Sequence, residues 1–293
     1  QKDEMAFFEL ASLVGLGSIP AEKRNPLELE TRGIGELILQ LVDQGVKTIC
    51  VGIGGSATND GGIGMAAGLG VAFYDEQGHL LRPVGASLGR VARIDTSAVP
   101  KALEDIELQV LTDVTNPLCG SQGATYIFGG QKGLNPLLFP AVDQAMQDFY
   151  QLADARILSM PGAGAGGGMA AGLVAFAGGQ ISSGIEKSLD LIDFDHKVQK
   201  ADLVVVGEGR MDLQSLSGKA PVGVAERTPE KIPVIAICGS LAEDLPAFPS
   251  HHIEAAFSIV PGPCEVADAL AHAERNLISC ARNIGNLLKI KAN

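Results

Sequence analysis

The chain contains no tryptophan, and aromatic residues make up only 4% of its 293 positions. With 37 glycines present, close backbone turns rather than aromatic packing must shape much of the interior. There is no run of 18 uninterrupted apolar residues and no signal-peptide pattern, so the sequence reads as that of a cytoplasmic protein with no membrane partner. Positive charge is also short. Twenty-two Lys and Arg stand against 34 Asp and Glu, giving a net charge of −12. Without a basic cluster, such a balance argues against a nucleic acid partner and leaves a small anionic substrate held by local cations.

The five cysteines, Cys50, Cys119, Cys238, Cys264 and Cys280, are odd in number and scattered. No CxxC or CxxH spacing joins them, so neither a zinc site nor a disulfide framework is indicated, and they read as buried reduced thiols. Several catalytic signatures are missing too. The chain lacks a P-loop ending in Gly-Lys-Ser/Thr, a protein-kinase catalytic loop and a nucleophile elbow around serine. No clean Gly-x-Gly-x-x-Gly occurs, because Gly52 and Gly54 are followed at the next slot by Ala57. A nicotinamide-dependent oxidoreductase is therefore weakly supported.

What the chain does have is a glycine loop in an informative place. Residues 51–64 read Val-Gly-Ile-Gly-Gly-Ser-Ala-Thr-Asn-Asp-Gly-Gly-Ile-Gly. They follow a β-branched run from Lys47 to Val51 and precede a helix-like segment over 63–69. Strand, glycine loop and helix together gather free backbone N–H groups where a phosphate can approach. Asp60 adds a carboxylate. The competing reading is a tight turn in which glycine supplies positive φ and close packing.

The remaining pattern is that of an α/β protein large enough for two lobes. Residues 5–16 read as a short apolar strand or helix, 33–45 as a helix, 46–53 and 106–114 as strands, and 136–158 as an amphipathic helix. Residues 71–100 are polar and turn-rich. The segment 161–168, Pro-Gly-Ala-Gly-Ala-Gly-Gly-Gly, is either a connector between lobes or another anion nest opening a helix that ends near Ala177. Strands over 201–206, 233–238 and 253–260 alternate with helices over 222–227 and 266–289, the rhythm of a doubly wound, mostly parallel sheet. Polar loops after Val51, Val206 and Cys238 are expected to share one site beyond the strand ends.

Two further clusters carry candidate chemistry. Residues 207–219 pack Glu208, Arg210, Asp212 and Lys219 among small residues after a buried strand. Phosphoryl transfer uses these types, with cations to offset charge and a carboxylate to orient a hydroxyl or hold Mg²⁺. The alternative is a solvated loop in which Arg210 pairs with Glu208 or Asp212. The second cluster comprises Asp113 and Asn116 in Thr-Asp-Val-Thr-Asn-Pro and Lys132 in Gly-Gly-Gln-Lys-Gly. Asp113 suits a metal or a substrate hydroxyl, and Lys132 a carboxylate or phosphate. Asn116-Pro117 also reads as an ordinary turn.

Taken together these segments resemble the bacterial glycerate kinases of the glycerate 2-kinase type I family. The match runs in order through Pro-Ala-Glu-Lys-Arg-Asn-Pro at 20–26, the glycine loop at 52–62, Asp-Val-Thr-Asn-Pro-Leu at 113–118 and Phe-Gly-Gly-Gln-Lys-Gly at 128–133. It continues through 161–165, Gly-Glu-Gly-Arg-Met-Asp-Leu-Gln-Ser at 207–215, Gly-Lys at 218–219, and 279–288. The resemblance implies ATP- and Mg²⁺-dependent phosphorylation of D-glycerate at the 2-hydroxyl, giving 2-phosphoglycerate. It further implies two α/β lobes, one doubly wound and Rossmann-like, with the active site in the cleft. Residues 33–70 with 200–293 would form that lobe, and 1–32 with 71–199 a second, mixed α/β lobe.

By the same resemblance, Gly54, Gly55, Ser56, Thr58 and Asn59 would bind phosphate groups. Asp60, Asp113, Asn116 and Lys132 would meet the substrate. Glu208 or Asp212 would orient the hydroxyl, Arg210 and Lys219 would offset charge, and Asp113 and Glu208 would be the Mg²⁺ ligands. Two motifs that open family members, Asp-Ser-Phe-Lys-like and Asp-Gly-Gly-Glu-Gly-Thr-like, do not occur, so the sequence is expected to start inside the family pattern. Gly130 stands where the family usually has proline. A catalytically silent nucleotide-binding piece of that family, or a kinase for another small hydroxy acid, are the alternative readings.

Overall fold

A computed structural model of the chain describes residues 4–213, 215, 216 and 220–291. The chain divides into two compact units, Gln1–Gly184 and Ile185–Asn293.

In the first unit, β1 (Met5–Glu9) runs directly into α1 (Leu10–Val14), so residues 5–16 are strand and helix in succession. Next come α2 (Arg32–Asp43), β2 (Thr48–Gly52) and α3 (Ile63–Gly68). The turn-rich stretch carries a small antiparallel pair, β3 (Ala72–Tyr74) and β4 (Arg93–Asp95). The unit continues with β5 (Glu107–Leu111), α4 (Ala124–Phe128), α5 (Phe139–Ala153), α6 (Met169–Ala177) and β6 (Gln180–Ser182).

Strands β1, β2, β5 and β6 form one parallel sheet in that order. Ile49, Cys50 and Val51 of β2 are fully buried, as expected of an inner parallel strand covered on both faces. One face packs on Ile34, Ile38, Met65, Met169 and Leu173 from the helices. A second cluster, around Phe73, Met146, Phe149 and Tyr150, fills the space between α3, α5 and α6.

Glycine sets how closely the helices approach. A Cβ on Gly35 of α2 would lie 2.1 Å from the Met65 carbonyl oxygen, and one on Gly68 of α3 2.1 Å from that of Arg32. Gly62 and Gly172 meet in the same way, each Cβ position 2.9 Å from the other Cα. With so few large aromatics, backbone-to-backbone contact takes their place.

The second unit contains α7 (Gly184–Leu191), α8 (Phe194–Val198), β7 (Val204–Val206), β8 (Arg210–Met211), α9 (Ala220–Arg227), β9 (Val234–Cys238), β10 (Ser240–Leu241), β11 (Ala255–Ser258), α10 (Val266–Ala271) and α11 (Ala273–Lys291). A parallel sheet runs in the order β11, β9, β7, and β8 pairs with β10 in a separate parallel ladder. The single helix expected over 266–289 is two, broken at His272, whose backbone leaves the helical region (φ −112, ψ 11).

The lobe assignment from sequence needs correction. Residues 48–52 pair with 5–9 and 107–111, whereas 204–206 pair with 234–236. Strand pairing thus keeps residues 48–52 with 5–9 and 107–111, and among the described residues no ladder joins them to 200–293. Cys50 and Cys238 are buried and Cys264 is exposed, and among the described residues no disulfide joins the five cysteines.

Among the described residues, no helix is long and apolar enough to cross a membrane.

Candidate active site

The glycine loop leaves β2 at its carboxyl end, and its residues divide sharply by exposure. Gly54 and Gly55 are exposed. Ser56, Thr58, Asn59 and Asp60 are buried behind them. Gly55, Gly61 and Gly62 have φ of +70, +63 and +75, so the turn chemistry weighed against anion binding operates at these three positions.

Asp60 proves to be a structural carboxylate. It is fully buried, accepts from Thr31 Oγ1 at 2.6 Å, and accepts from the N–H groups of Gly62 (3.0 Å) and Gly64 (3.4 Å) at the start of α3. Those amides lack intrahelical partners, so an acceptor there stabilises the helix start. Burial pushes the carboxyl above its ordinary value, against the pull of these hydrogen bonds. Asp60, expected to meet the substrate, is thus placed at a helix start, with its carboxylate bonded to Thr31, Gly62 and Gly64.

Lys132 also differs from expectation. It is 4% exposed, and its Nζ donates to Ser56 Oγ at 3.1 Å and to the Thr58 carbonyl at 2.7 Å. Burial lowers its pKa to about 8, with Asp60 opposing the shift. Asn59 Nδ2 donates to Thr125 Oγ1 at 3.1 Å, while its Oδ1 is buried without a partner. Of the five residues expected to bind phosphate, the two glycines are at the surface, and Ser56, Thr58 and Asn59 support them.

The 161–168 segment lies inside the first unit, so it is no connector between units. Gly167 accepts from the Gly61 N–H at 3.0 Å, and a Cβ on it would stand 2.1 Å from the Thr58 carbonyl oxygen. The segment braces the glycine loop from behind. Asp113, just after β5, is exposed and accepts from Ser183 Oγ at 3.2 Å. Asn116 Nδ2 donates to the Gln122 carbonyl at 2.8 Å and organises its own turn.

In the second unit, the loops after β7 and β9 lie side by side. The Glu208 carbonyl accepts from the Gly239 N–H and that of Gly209 from the Ser240 N–H, each at 3.0 Å. Arg210 and Met211 then pair in register with Ser240 and Leu241. Of the three loops expected to share one site, two are thus joined, and the loop after Val51 belongs to the other unit.

Asp212 Oδ1 accepts from the Ser215 N–H (3.1 Å), which closes a tight turn. Arg210 is exposed, and among the described residues no ion pair joins it to Glu208 or Asp212. Glu208 Oε1 is buried and has no hydrogen-bond partner among the described residues. Beside it a cavity of about 810 Å³ opens at the carboxyl ends of β7 and β9, lined in part by Gly207, Cys238, Ser240 and Leu270. Open α/β sheets bind ligands at that end of their strands. Lys219 lies outside the described residues.

An acid, a cation and a second acid on a stitched loop match the needs of group transfer. A model of the glycerate kinase family matches residues 1–289. The chain belongs to the glycerate kinase family. It is 57% identical to a glycerate kinase of Neisseria meningitidis serogroup B over 99% of the chain and 78% of that relative. It is 41% identical to the glycerate 2-kinase of Escherichia coli K12, over 97% of the chain and 76% of that protein. The crystal structure of a glycerate kinase 2 from Salmonella typhimurium LT2 superposes with a TM-score of 0.77 at 40% identity, covering 99% of the chain and 77% of that structure. The chain is accordingly a member of a family of phosphotransferases with an alcohol acceptor, and the mixed α/β fold read from the sequence agrees with that neighbour.

Sequence reasoning missed the supporting role of Thr31 and Thr125, which carry no motif. Their only signal is a hydroxyl at the edge of an apolar segment.

Proposed function

We propose that this chain is an ATP-dependent kinase that phosphorylates D-glycerate at its 2-hydroxyl, forming 2-phosphoglycerate. The observation that carries the reading is the state of the 207–212 loop. Among the described residues it presents an exposed arginine with no ion pair and a buried glutamate oxygen with no hydrogen-bond partner. A buried polar oxygen without a partner costs free energy, so the retention of the Glu208 oxygen argues for a ligand that completes it, and the solvated arginine beside it is free to meet the same ligand.

In this reading the glycerate hydroxyl oxygen attacks the γ-phosphorus of ATP, and the bond to the bridging oxygen of the departing ADP breaks. Asp212 or Glu208 takes the hydroxyl proton, while Arg210 and Lys219 offset charge on the transferring group. Gly54 and Gly55 offer backbone N–H groups to an anionic group. Asp113 and Asn116 are the further candidates for substrate contact.

Mg²⁺ is commonly held by one or two carboxylates together with phosphate oxygens and waters. The orphaned Glu208 Oε1 fits that donor set, and the exposed Asp113 is the candidate carboxylate of the first unit. When bound, the ion would neutralise charge on the phosphate oxygens.

The test is coupled ADP release with D-glycerate, ATP and Mg²⁺, with the product identified by phosphorus NMR. Glycerate-dependent turnover that collapses in Asp212→Ala, with 2-phosphoglycerate as product, is the expected result. Turnover on another hydroxy acid in preference to glycerate, or none from a folded sample, would overturn the reading.

A further inference from the structure

Lys132 ends a short turn, Gly130–Lys132, that follows α4. That turn is pinned by Gly133, whose φ is +91 and whose Cβ position would be 2.8 Å from the Arg24 carbonyl oxygen. From this anchor the side chain extends under the glycine loop and is 4% exposed.

Neighbouring parts of the loop have other supports. The Leu16 N–H donates to the Gly55 carbonyl and the Ala57 N–H to the Val14 carbonyl, both at 2.8 Å. The Gly61 N–H donates to Gly167, and the Asn59 amide to Thr125. Between those ties, the Ser56 hydroxyl and the Thr58 carbonyl both accept from Lys132 Nζ.

We propose that Lys132 is a positioning residue, which acts through Ser56 Oγ and the Thr58 carbonyl to fix the exposed Gly54–Gly55 turn in one shape. The function of that turn, holding an anionic group, rests on the kinase reading above; its fixation by Lys132 does not. A neutral amine keeps two N–H donors, enough for both acceptors. The tie therefore survives deprotonation of Lys132, whereas a direct attraction of its charge to a ligand would not. The ionisable group acting on Lys132 is Asp60 in the same loop, and the Tyr150 hydroxyl of α5 donates to the Gly61 carbonyl at the other end of that loop.

The first arm needs no activity. Hydrogen exchange is followed on the ligand-free full chain for wild type, Lys132→Met and Ser56→Ala. In Lys132→Met the amides of residues 53–58 should exchange about tenfold faster or more, while β1, β2, β5 and β6 keep their protection. Ser56→Ala, which removes one of the two acceptors, should shift the same amides less. Unchanged loop exchange in both variants overturns the proposal, and so does uniform loss of protection across the unit. If Lys132→Met does not fold, unchanged loop exchange in Ser56→Ala overturns it alone.

The second arm uses turnover. KM for ATP or for glycerate should rise about tenfold in Lys132→Met with kcat little changed, because misplacement weakens holding more than chemistry. The wild-type to variant ratio should stay level between pH 7 and pH 9. A ratio that falls across pH 8 would show a direct charge role and overturn positioning. Absence of turnover in wild type would defeat the kinase reading and leave the exchange result standing.

Discussion

The Thr31 hydroxyl donates to Asp60 Oδ2 at 2.6 Å and accepts from the Met65 N–H at 2.9 Å, which links the entrance of α2 to the first turn of α3. Both side chains are buried. Thr31→Val keeps the shape and removes both bonds, leaving a carboxylate short of a donor and an amide short of an acceptor. A loss of about 2–4 kcal/mol follows, and Thr31→Ser should restore most of it. Denaturant unfolding measures both. The cost of Thr31→Val should shrink at acid pH, where Asp60 is protonated and the charge-assisted bond no longer exists.

Two glycines two residues apart in α2 lie on nearly opposite faces of the helix and should respond with opposite sign. Nothing lies within 4 Å of a Cβ placed on Gly33, whereas one placed on Gly35 would be 2.1 Å from the Met65 carbonyl oxygen. Gly33→Ala should gain about 0.5–1 kcal/mol from helix propensity. Gly35→Ala must push two helices apart and should lose about 3 kcal/mol or fail to fold. Thermal unfolding of the pair decides it.

Burial of Lys132 also sets a pH dependence of stability. Its ammonium loses a proton near 8 in the folded chain, against an ordinary value of 10.5. Between these two values the unfolded chain binds more protons, so this group makes stability rise with pH. The rise should approach about 3 kcal/mol across that window. It appears as the difference between wild type and Lys132→Met, which lacks the titrating group; parallel curves would refute it.

In the second unit, Arg227 of α9 bonds to Asp195, Asp190 and Glu186, with ion-pair distances of 2.8, 2.6 and 3.1 Å. These bonds hold its pKa above the ordinary range. Arg227→Gln should loosen α7 and α8, seen as faster amide exchange over residues 185–198. Because the acids are exposed, the difference from wild type should diminish in 1 M salt.

Arg210 is exposed and has no ion pair among the described residues, so its removal should leave stability unchanged. On the kinase reading, Arg210→Ala lowers kcat by about 10²–10³. An equal loss of melting temperature and activity would argue for a structural arginine instead.

How much of this was legible beforehand depends on range. β2, β5 and β9 and helices α2 and α5 follow from periodicity, because each carries its own apolar pattern. β6 has three residues, none of them buried, and offers no pattern; its partner β5 places it. The burial of Lys132 and Asp60 was invisible for another reason. A lysine in a glycine-rich turn looks the same whether it faces solvent or a carbonyl 74 positions earlier. Likewise, one acid in a glycine loop serves a helix start or a ligand equally well on paper. Residue types limited the chemistry to a short menu, and long-range packing chose from it.

The two-rung ladder between residues 210–211 and 240–241 has a consequence for anyone altering this protein. A side chain at Gly239 would meet the Gly209 carbonyl, with its Cβ only 2.2 Å away. Whatever moves one strand end therefore drags the acids of the other along with it. Residue 239 carries no reactive group, yet it acts as a tuning screw for Glu208. Libraries aimed at this loop should hold that position fixed and vary its neighbours instead.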